Sequence, residues 1–399
     1  MKKRQIAISS IQISKKAKQY VNRVLNSNRL SYGFYTERFE REIAKSHHRK
    51  FAIFVNSGTS GLQLSIHALK DLYKWNNNDE IIVPAITFIA SSNAVIHNNL
   101  KPVFVDVEPD YYCIDPTKIE TKITKNTRAI LPVHLFGQSA NMLKILKIAK
   151  RYNLKIIEDS CETMFATFNQ KPVGSFGDIS VFSTYVAHII STGVGGIVTT
   201  NNKKLAETIK SLTFHGRDNI YLKIEDNYTR NRNKLNSLIK RRFQFVHTGY
   251  SFRNTEMEAA IGLAEVENIN ITINRRQRVG QEITRELADF SNFFQTPKVR
   301  ESSSHVYMLY PILIKDKRIK RDDLLLYLEK NRVETRLFFP LLSQPIYKKM
   351  FGTIEKNYPV AKKLVKNGFI IGSHPFIKKD DIKYLHYLLK NYLRKLNLI

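Results

Sequence analysis

The sequence predicts an α/β protein in which helices cover a mostly parallel β-sheet. Over the first 250 residues, short runs rich in β-branched residues alternate with segments of helical spacing, the pattern of repeated βα units. After Phe252 the pattern changes to long helical stretches separated by few strand-like runs. We therefore predict a large domain over residues 1–250 and a smaller α+β domain over residues 251–399. A chain of 399 residues, 43% of them hydrophobic, is long enough to bury a large core.

The individual elements follow from length and composition. Seven apolar runs are predicted to be buried strands, at residues 51–55, 80–83, 102–105, 128–133, 154–157, 179–182 and 196–200. Helical spacing marks residues 61–74 and 141–152 between them, and then 256–287, 320–331 and 380–396, with a further strand at 306–314. In sheets of this type ligands bind at the carboxyl ends of the strands, so we expect the site in the strand-to-helix loops.

The net charge of +29 raises the question of nucleic-acid binding. The basic residues are spread along the whole chain, however, and the abundance of Lys, Asn and Ile is typical of an AT-rich coding sequence. We therefore predict a solvated lysine surface and no nucleic-acid partner. The same positive charge would attract an anionic, nucleotide-linked substrate.

The sequence has no long apolar segment and only two cysteines, which limits the compartment and the metal sites that can be expected. No apolar stretch follows the basic start, and none elsewhere reaches the ~18 residues of a membrane span, so we expect a cytoplasmic protein without a membrane partner. Cys113 and Cys161 cannot supply the four thiolates of an iron–sulfur cluster or a cysteine zinc site. No metal is expected.

The loop after the first predicted strand has the composition of a phosphate-binding loop. Gly58 lets the backbone approach an anion, Thr59 and Ser60 supply hydroxyls, and the following helix presents its N-terminus. The same residues also suit a simple helix cap by Ser57 or Thr59.

An acid ends the fifth predicted strand. Asp159 is placed to keep the nitrogen of a pyridine ring protonated, although an aspartate there also suits a helix cap. A phosphate-binding loop, a strand-end acid and a loop that contains Ser183 occur in this order within one predicted domain. Together they favour one cofactor site over three separate caps.

Longer motifs resemble a known family. They are Asn56 to Leu62, Val83-Pro-Ala-Ile-Thr-Phe-Ile-Ala90, Pro102-Val-Phe-Val-Asp106, Val133-His-Leu-Phe-Gly137, Ile157-Glu-Asp159, Val173-Gly-Ser-Phe-Gly-Asp178, Ser183 to Gly196, Gly249 to Gly262 and Glu334-Thr-Arg-Leu-Phe-Phe-Pro340. They are similar to those of the pyridoxal phosphate-dependent sugar aminotransferases of the DegT/DnrJ/EryC1/StrS group, over nearly the whole chain. The resemblance implies the fold-type I aspartate aminotransferase architecture, a three-layer sandwich with a smaller C-terminal domain.

The resemblance also implies roles for single residues. Gly58, Thr59, Ser60 and Ser183 would bind the phosphate of pyridoxal or pyridoxamine 5'-phosphate, and Phe88 would stack on its ring. Asp159 would pair with the ring nitrogen. Glu162 stands where the family commonly has a Gln that faces the phenolic oxygen. The family's members are usually homodimers, and the segment from Gly249 to Ser251 would reach into the partner's site.

The largest departure from the family is His188, which occupies the position of the lysine that holds the cofactor covalently. Imidazole can move a proton but cannot form a stable imine with the aldehyde. The same replacement marks the nucleotide-linked 4-keto-6-deoxyhexose 3-dehydratases, in which pyridoxamine phosphate is used and glutamate regenerates it. Thr184 and Val194 depart from that branch, which often has an aromatic residue and a Glu at those positions.

Three functions stay open from the sequence. The chain is a 3-dehydratase with His188 as the proton-transfer base, an aminotransferase that moves nitrogen from glutamate to C4, or a catalytically silent homologue. Either enzyme would serve deoxysugar or surface polysaccharide biosynthesis. His215 and Arg336 are candidate substrate-binding residues, and further candidates for the rim of the site are Arg217, His305 and His374.

Overall fold

The computed structural model describes residues 4–218, 231–241 and 243–399, and its strands are the apolar runs of the sequence. They are β1 (Phe51–Val55), β2 (Glu80–Pro84), β3 (Lys101–Val105), β4 (Thr127–Ile130), β5 (Lys155–Asp159), β6 (Thr167–Phe168), β7 (Lys171–Pro172), β8 (Ile179–Ser183), β9 (Gly196–Thr200), β10 (Phe294–Gln295), β11 (Leu309–Ile314), β12 (Thr335–Leu337) and β13 (Gly368–Gly372). All seven strands predicted for the large sheet are present, with ends shifted by at most three residues.

The α-helices lie between the strands and after them. They are α1 (Lys15–Asn26), α2 (Phe34–Ser46), α3 (Gly58–Tyr73), α4 (Ile89–His97), α5 (Met142–Arg151), α6 (Lys203–Thr213), α7 (Arg232–Arg241), α8 (Glu256–Val266), α9 (Ile269–Glu286), α10 (Arg321–Lys330), α11 (Pro345–Phe351), α12 (Pro359–Asn367) and α13 (Lys379–Lys395). No helix within the described ranges is both long and apolar enough to cross a membrane.

The main sheet has the strand order β1-β9-β8-β5-β4-β2-β3. From β3 to β8 the neighbours pair in parallel, and β9 runs antiparallel between β1 and β8. The predicted mostly parallel α/β sandwich is thereby confirmed. The carboxyl ends of β1, β5 and β8 meet at one edge, which gathers the three loops that carry the predicted site.

A second sheet, β10-β11-β13-β12, packs with α9, α10 and α13 around its own core. Helix α8 belongs to the first core, where the carboxylate of Glu256 accepts hydrogen bonds from the backbone amides of Gly33, Tyr35 and Thr36 at the start of α2. The first core therefore extends past residue 250. Whether the chain divides there into two folding units stays a prediction.

Two segments differ from their predicted form. The helical stretch 256–287 is two helices separated at Glu267 and Asn268. The strand predicted from residue 306 begins at Leu309, because the amide of Val306 donates instead to the carbonyl of Gly137 in the first core. The short strands β12 and β13 were not predicted.

Candidate active site

A cavity of about 460 Å³ opens at the carboxyl ends of β1, β5 and β8. Met308 and Leu309, at the start of β11, form its opposite wall together with Arg336 and Phe339. Eight of the residues predicted from the sequence line it: Gly58, Thr59, Phe88, Asp159, Glu162, Ser183, His188 and Arg336. Residues up to 278 positions apart in the chain therefore meet in one space of the size expected for a small cofactor and substrate.

The N-terminus of α3 forms one end of this cavity. Ser57 caps the helix by accepting a hydrogen bond from the amide of Ser60 at 3.0 Å, and the first intrahelical bond runs from Gly61 to the Ser57 carbonyl. A Cβ on Gly58 would lie 2.9 Å from Cys161 Sγ and 3.0 Å from Ser183 Cβ, so only glycine allows this close approach. The loop is thus a helix cap, and the N-terminal end of α3 faces the cavity.

Ser60 is the predicted phosphate-binding residue that the cavity does not include. Its hydroxyl lies 2.9 Å from Ser57 Oγ, behind the cavity wall. Ser57, which the sequence suggested only as a cap, lines the cavity in its place.

Asp159 is buried at the end of β5 with both carboxylate oxygens engaged. Oδ2 accepts a hydrogen bond from Ser91 Oγ at 2.6 Å, and Oδ1 accepts one from the amide of Cys161 at 3.2 Å. Thr87 Oγ1 lies 2.7 Å from Ser91 Oγ, which extends the chain of hydroxyls. Neither hydroxyl residue was singled out from the sequence, although both lie in or beside the motif that ends at Ala90.

Glu162 is a buried carboxyl without a cationic partner in its hydrogen bonds. Its Oε2 accepts one hydrogen bond, at 2.7 Å, from the amide of Phe136. Burial, together with the nearby charge of Asp159, raises the pKa of Glu162 to about 8. The carboxyl is therefore protonated at neutral pH and is able to donate a hydrogen bond into the cavity.

His188 lies in the turn that follows β8. Its amide donates to the carbonyl of Tyr185 at 2.8 Å, while Nδ1 is buried and has no hydrogen-bond partner among the described residues. Burial is the main cause that lowers its pKa to about 4, and the positive charge of Arg276 adds to it. The imidazole is therefore neutral at pH 7 and can accept a proton.

The other predicted rim residues lie outside the cavity lining. His215 is exposed, with Nε2 3.5 Å from a guanidinium nitrogen of Arg253. Arg217 lies over the ring of Phe243. His305 and His374 are both buried, and His305 Nδ1 accepts a hydrogen bond from a backbone amide.

The lining fits a pyridoxal phosphate. Hydroxyls and a helix N-terminus at one end suit its phosphate, and the acid Asp159 suits its ring nitrogen. The ring of Phe88, 57% exposed beside the cavity, is available for stacking. No lysine occurs among the described residues that line the cavity. The lining therefore presents a neutral imidazole and, among its described residues, no lysine amine.

Comparisons with known proteins agree with this geometry. The sequence model of the DegT/DnrJ/EryC1/StrS aminotransferase family matches residues 11–389. The GDP-perosamine synthase of Escherichia coli O157:H7 is 32% identical over 372 residues, 93% of each chain.

Two solved structures share the fold over almost their full length. The E. coli GDP-4-keto-6-deoxy-D-mannose-3-dehydratase with bound hydrated PLP is 27% identical, with a TM-score of 0.88 and coverage of 96% of this chain and 99% of that one. A GDP-4-keto-6-deoxymannose-3-dehydratase with a trapped PLP-glutamate geminal diamine is 26% identical, with a TM-score of 0.88 over 96% of this chain and 100% of that one.

Proposed function

Since the chain belongs to the DegT/DnrJ/EryC1/StrS aminotransferase family, we propose that it removes the C3 hydroxyl of a nucleotide-linked 4-keto-6-deoxyhexose. Its membership and its structural relatives make it a pyridoxal phosphate-dependent enzyme that modifies nucleotide-linked sugars. The observation that carries the finer proposal is His188, a neutral histidine in a cavity whose described lining contains no lysine.

The residues of the cavity divide the work. Gly58, Thr59 and Ser183 would hold the phosphate, and Asp159 would keep a proton on the ring nitrogen. When bound, the cofactor supplies an electron sink that stabilises negative charge on the adjacent carbon. Protonated Glu162 would donate to the phenolic oxygen.

His188 is the proton carrier in this scheme. Its neutral imidazole would take up a proton and, once charged, give that proton to the departing C3 hydroxyl. A lysine would bind the cofactor covalently as well, whereas the histidine performs the proton transfer alone. That division of labour favours dehydration over the ordinary lysine-relayed amination.

We further propose that glutamate regenerates the amine form of the cofactor, that the protein acts in the cytoplasm and that two copies form a homodimer. The relative trapped with PLP and glutamate supports the first point. If the dimer completes the site, light scattering of active protein should give about twice the chain mass of 46.3 kDa. An active monomer would contradict the dimer.

Covalent attachment gives a first test of the site. Borohydride treatment of the holoenzyme should leave no pyridoxyl group on the protein, because no lysine lines the described cavity, and dialysis should remove the cofactor. A pyridoxyl-lysine peptide found by mass spectrometry would show that another residue has taken the lysine's place.

Product analysis separates dehydration from amination. With pyridoxamine phosphate, glutamate and a panel of nucleotide-linked 4-keto-6-deoxyhexoses, we expect a 3-deoxy-4-keto sugar and free ammonia. His188→Asn should abolish this product, and the exposed His97→Asn should leave it unchanged. His188→Lys should restore covalent binding and divert the site toward 4-amination.

The other outcomes each identify a rival function. A stable 4-amino sugar from the unmodified protein would establish the aminotransferase, which the identity to GDP-perosamine synthase favours. Tight cofactor binding without turnover across the panel would establish the silent homologue.

A further inference from the structure

We propose that Arg276 is a positioning residue for His188: its guanidinium ties the loop that carries the imidazole to the opposite wall of the cavity and places a fixed positive charge behind it. This inference rests on the proposed role of His188 as the proton acceptor.

The contacts of Arg276 connect two walls. The residue lies on α9 and is only 4% exposed. One terminal nitrogen donates to the carbonyl of His188 at 3.3 Å, and the other donates to the carbonyls of Tyr307 at 3.3 Å and Met308 at 3.2 Å. Met308 lines the cavity opposite the turn that carries His188. The planar guanidinium of Arg276 therefore fixes the distance between these two walls of the cavity.

The charge of Arg276 is not balanced by any carboxylate in these contacts. All three acceptors are backbone carbonyls, and Nε has no partner among the described residues. Arg49, a comparably buried arginine, is paired with the carboxylate of Glu158. Burying a guanidinium without a carboxylate is costly, and a neutral side chain would fill the same volume more cheaply.

The retained charge acts on its neighbours. Burial lowers the pKa of Arg276 to about 10, so the group is still cationic at pH 7. A cation beside an imidazole disfavours imidazole protonation, which keeps His188 available as a base. His374, a second buried histidine near Arg276, has its pKa lowered to about 4 by burial first and by the same charge second.

The other charged groups around His188 act differently. Asp159 and Glu162 face the cavity from the end of β5, Tyr185 belongs to the same turn, and Arg336 faces from β12. The carboxylate of Asp159 would favour protonated imidazole, Glu162 carries no charge at neutral pH, and Arg336 is exposed to solvent, which screens it. Arg276 is therefore the buried group whose removal should raise the pKa of His188, although burial still holds that pKa below the ordinary value.

The experiment compares two variants. Arg276→Met removes both the charge and the hydrogen bonds of the guanidinium, whereas Arg276→Lys keeps the charge but not the bridging hydrogen bonds. The titration of His188 is followed by NMR in histidine-labelled protein without cofactor, with the signal assigned by its absence in His188→Asn. Arg276→Met should raise the His188 titration midpoint by about 0.5 pH unit or less, because burial is the larger cause of its low pKa, and Arg276→Lys should leave it in place. The neighbouring exposed Arg275→Met is the matched control.

Steady-state kinetics test the positional part. Both Arg276 variants should lower kcat by about 10-fold or more with little change in KM, because the substrate contacts stay and the base is displaced. An unshifted His188 titration in a folded Arg276→Met protein would overturn the electrostatic role. An unchanged kcat in Arg276→Lys would overturn the positioning of His188 by the guanidinium hydrogen bonds. The NMR titration does not need turnover. If the protein converted none of the nucleotide-linked sugars, the test of the Arg276 charge would still be valid. If Arg276→Met does not fold, Arg276→Gln takes its place.

Discussion

Two neighbouring acids on β5, Glu158 and Asp159, belong to regions of opposite character. Successive side chains of a strand point to opposite faces, so Glu158 faces away from the cavity that Asp159 lines. Glu158 accepts hydrogen bonds from Arg49, from His134 and from the amides of residues 174, 176 and 177. On the other side, Glu162 accepts one hydrogen bond, from the amide of Phe136, and His188 Nδ1 has no partner among the described residues.

The difference shows how to distinguish a structural buried charge from a functional one. Burial by itself raises the pKa of Glu158, but the hydrogen bond from His134 and the charge of Arg49 outweigh it and lower the pKa overall. At Glu162 burial dominates, and the pKa rises to about 8. Glu158, whose bonding capacity is filled, holds the fold, whereas Glu162 keeps bonding capacity for a ligand in the cavity that it lines.

The largest expected effect comes from Glu158→Gln. The NH2 group of Gln would face groups that themselves donate hydrogen bonds, and Arg49 would stay buried without its carboxylate partner. We therefore expect the free energy of unfolding to fall by about 3–5 kcal/mol. Urea denaturation measures it, with the exposed Glu301→Gln as control. If Glu158→Gln lowered the free energy of unfolding by no more than the control does, about 0.5 kcal/mol, the two regions would not differ in the way described.

Asp159→Asn should give the reverse pattern. Asn keeps an acceptor for Ser91 or Cys161, so the unfolding free energy should change by less than about 1 kcal/mol. Turnover should fall by about 100-fold, because the neutral side chain cannot hold a proton on the ring nitrogen. Exposed Asp323→Asn is the control, and unchanged turnover would take Asp159 out of the site.

Glu162→Gln should show its effect as a change in stability with pH. Since the folded pKa of about 8 lies above the ordinary value of 4.5, the native state binds more protons than the unfolded state between these values. The contribution of Glu162 to stability should therefore fall as pH rises from 4.5 to 8.

Gln cannot titrate, so Glu162→Gln should gain about 3 kcal/mol relative to the unmodified protein between pH 5 and pH 8. Thermal or urea unfolding across that range measures the gain. Parallel stability curves for the two proteins would mean that Glu162 is not held protonated by the fold.

The sequence by itself determined the elements and most of the residues at their ends that line the cavity. Strands β1 and β9 were predicted to the residue, because a short β-branched run between polar turns is a local signal. Thr59, Asp159 and Ser183 were predicted from strand-end position, and His188 from its neighbours in the turn after β8. Each of these sites is encoded by contiguous residues.

Only the tertiary structure decided which polar groups are satisfied. The hydrogen bond from Arg276 to His188 joins residues 88 positions apart, and the one from Ser91 to Asp159 joins residues 68 apart. His188 lines the cavity, whereas His305 stacks on Tyr307 in the core. The sequence pattern around the two histidines does not predict this difference. Local periodicity encodes elements, whereas burial and hydrogen-bond pairing arise from packing between distant segments, which leaves no local trace.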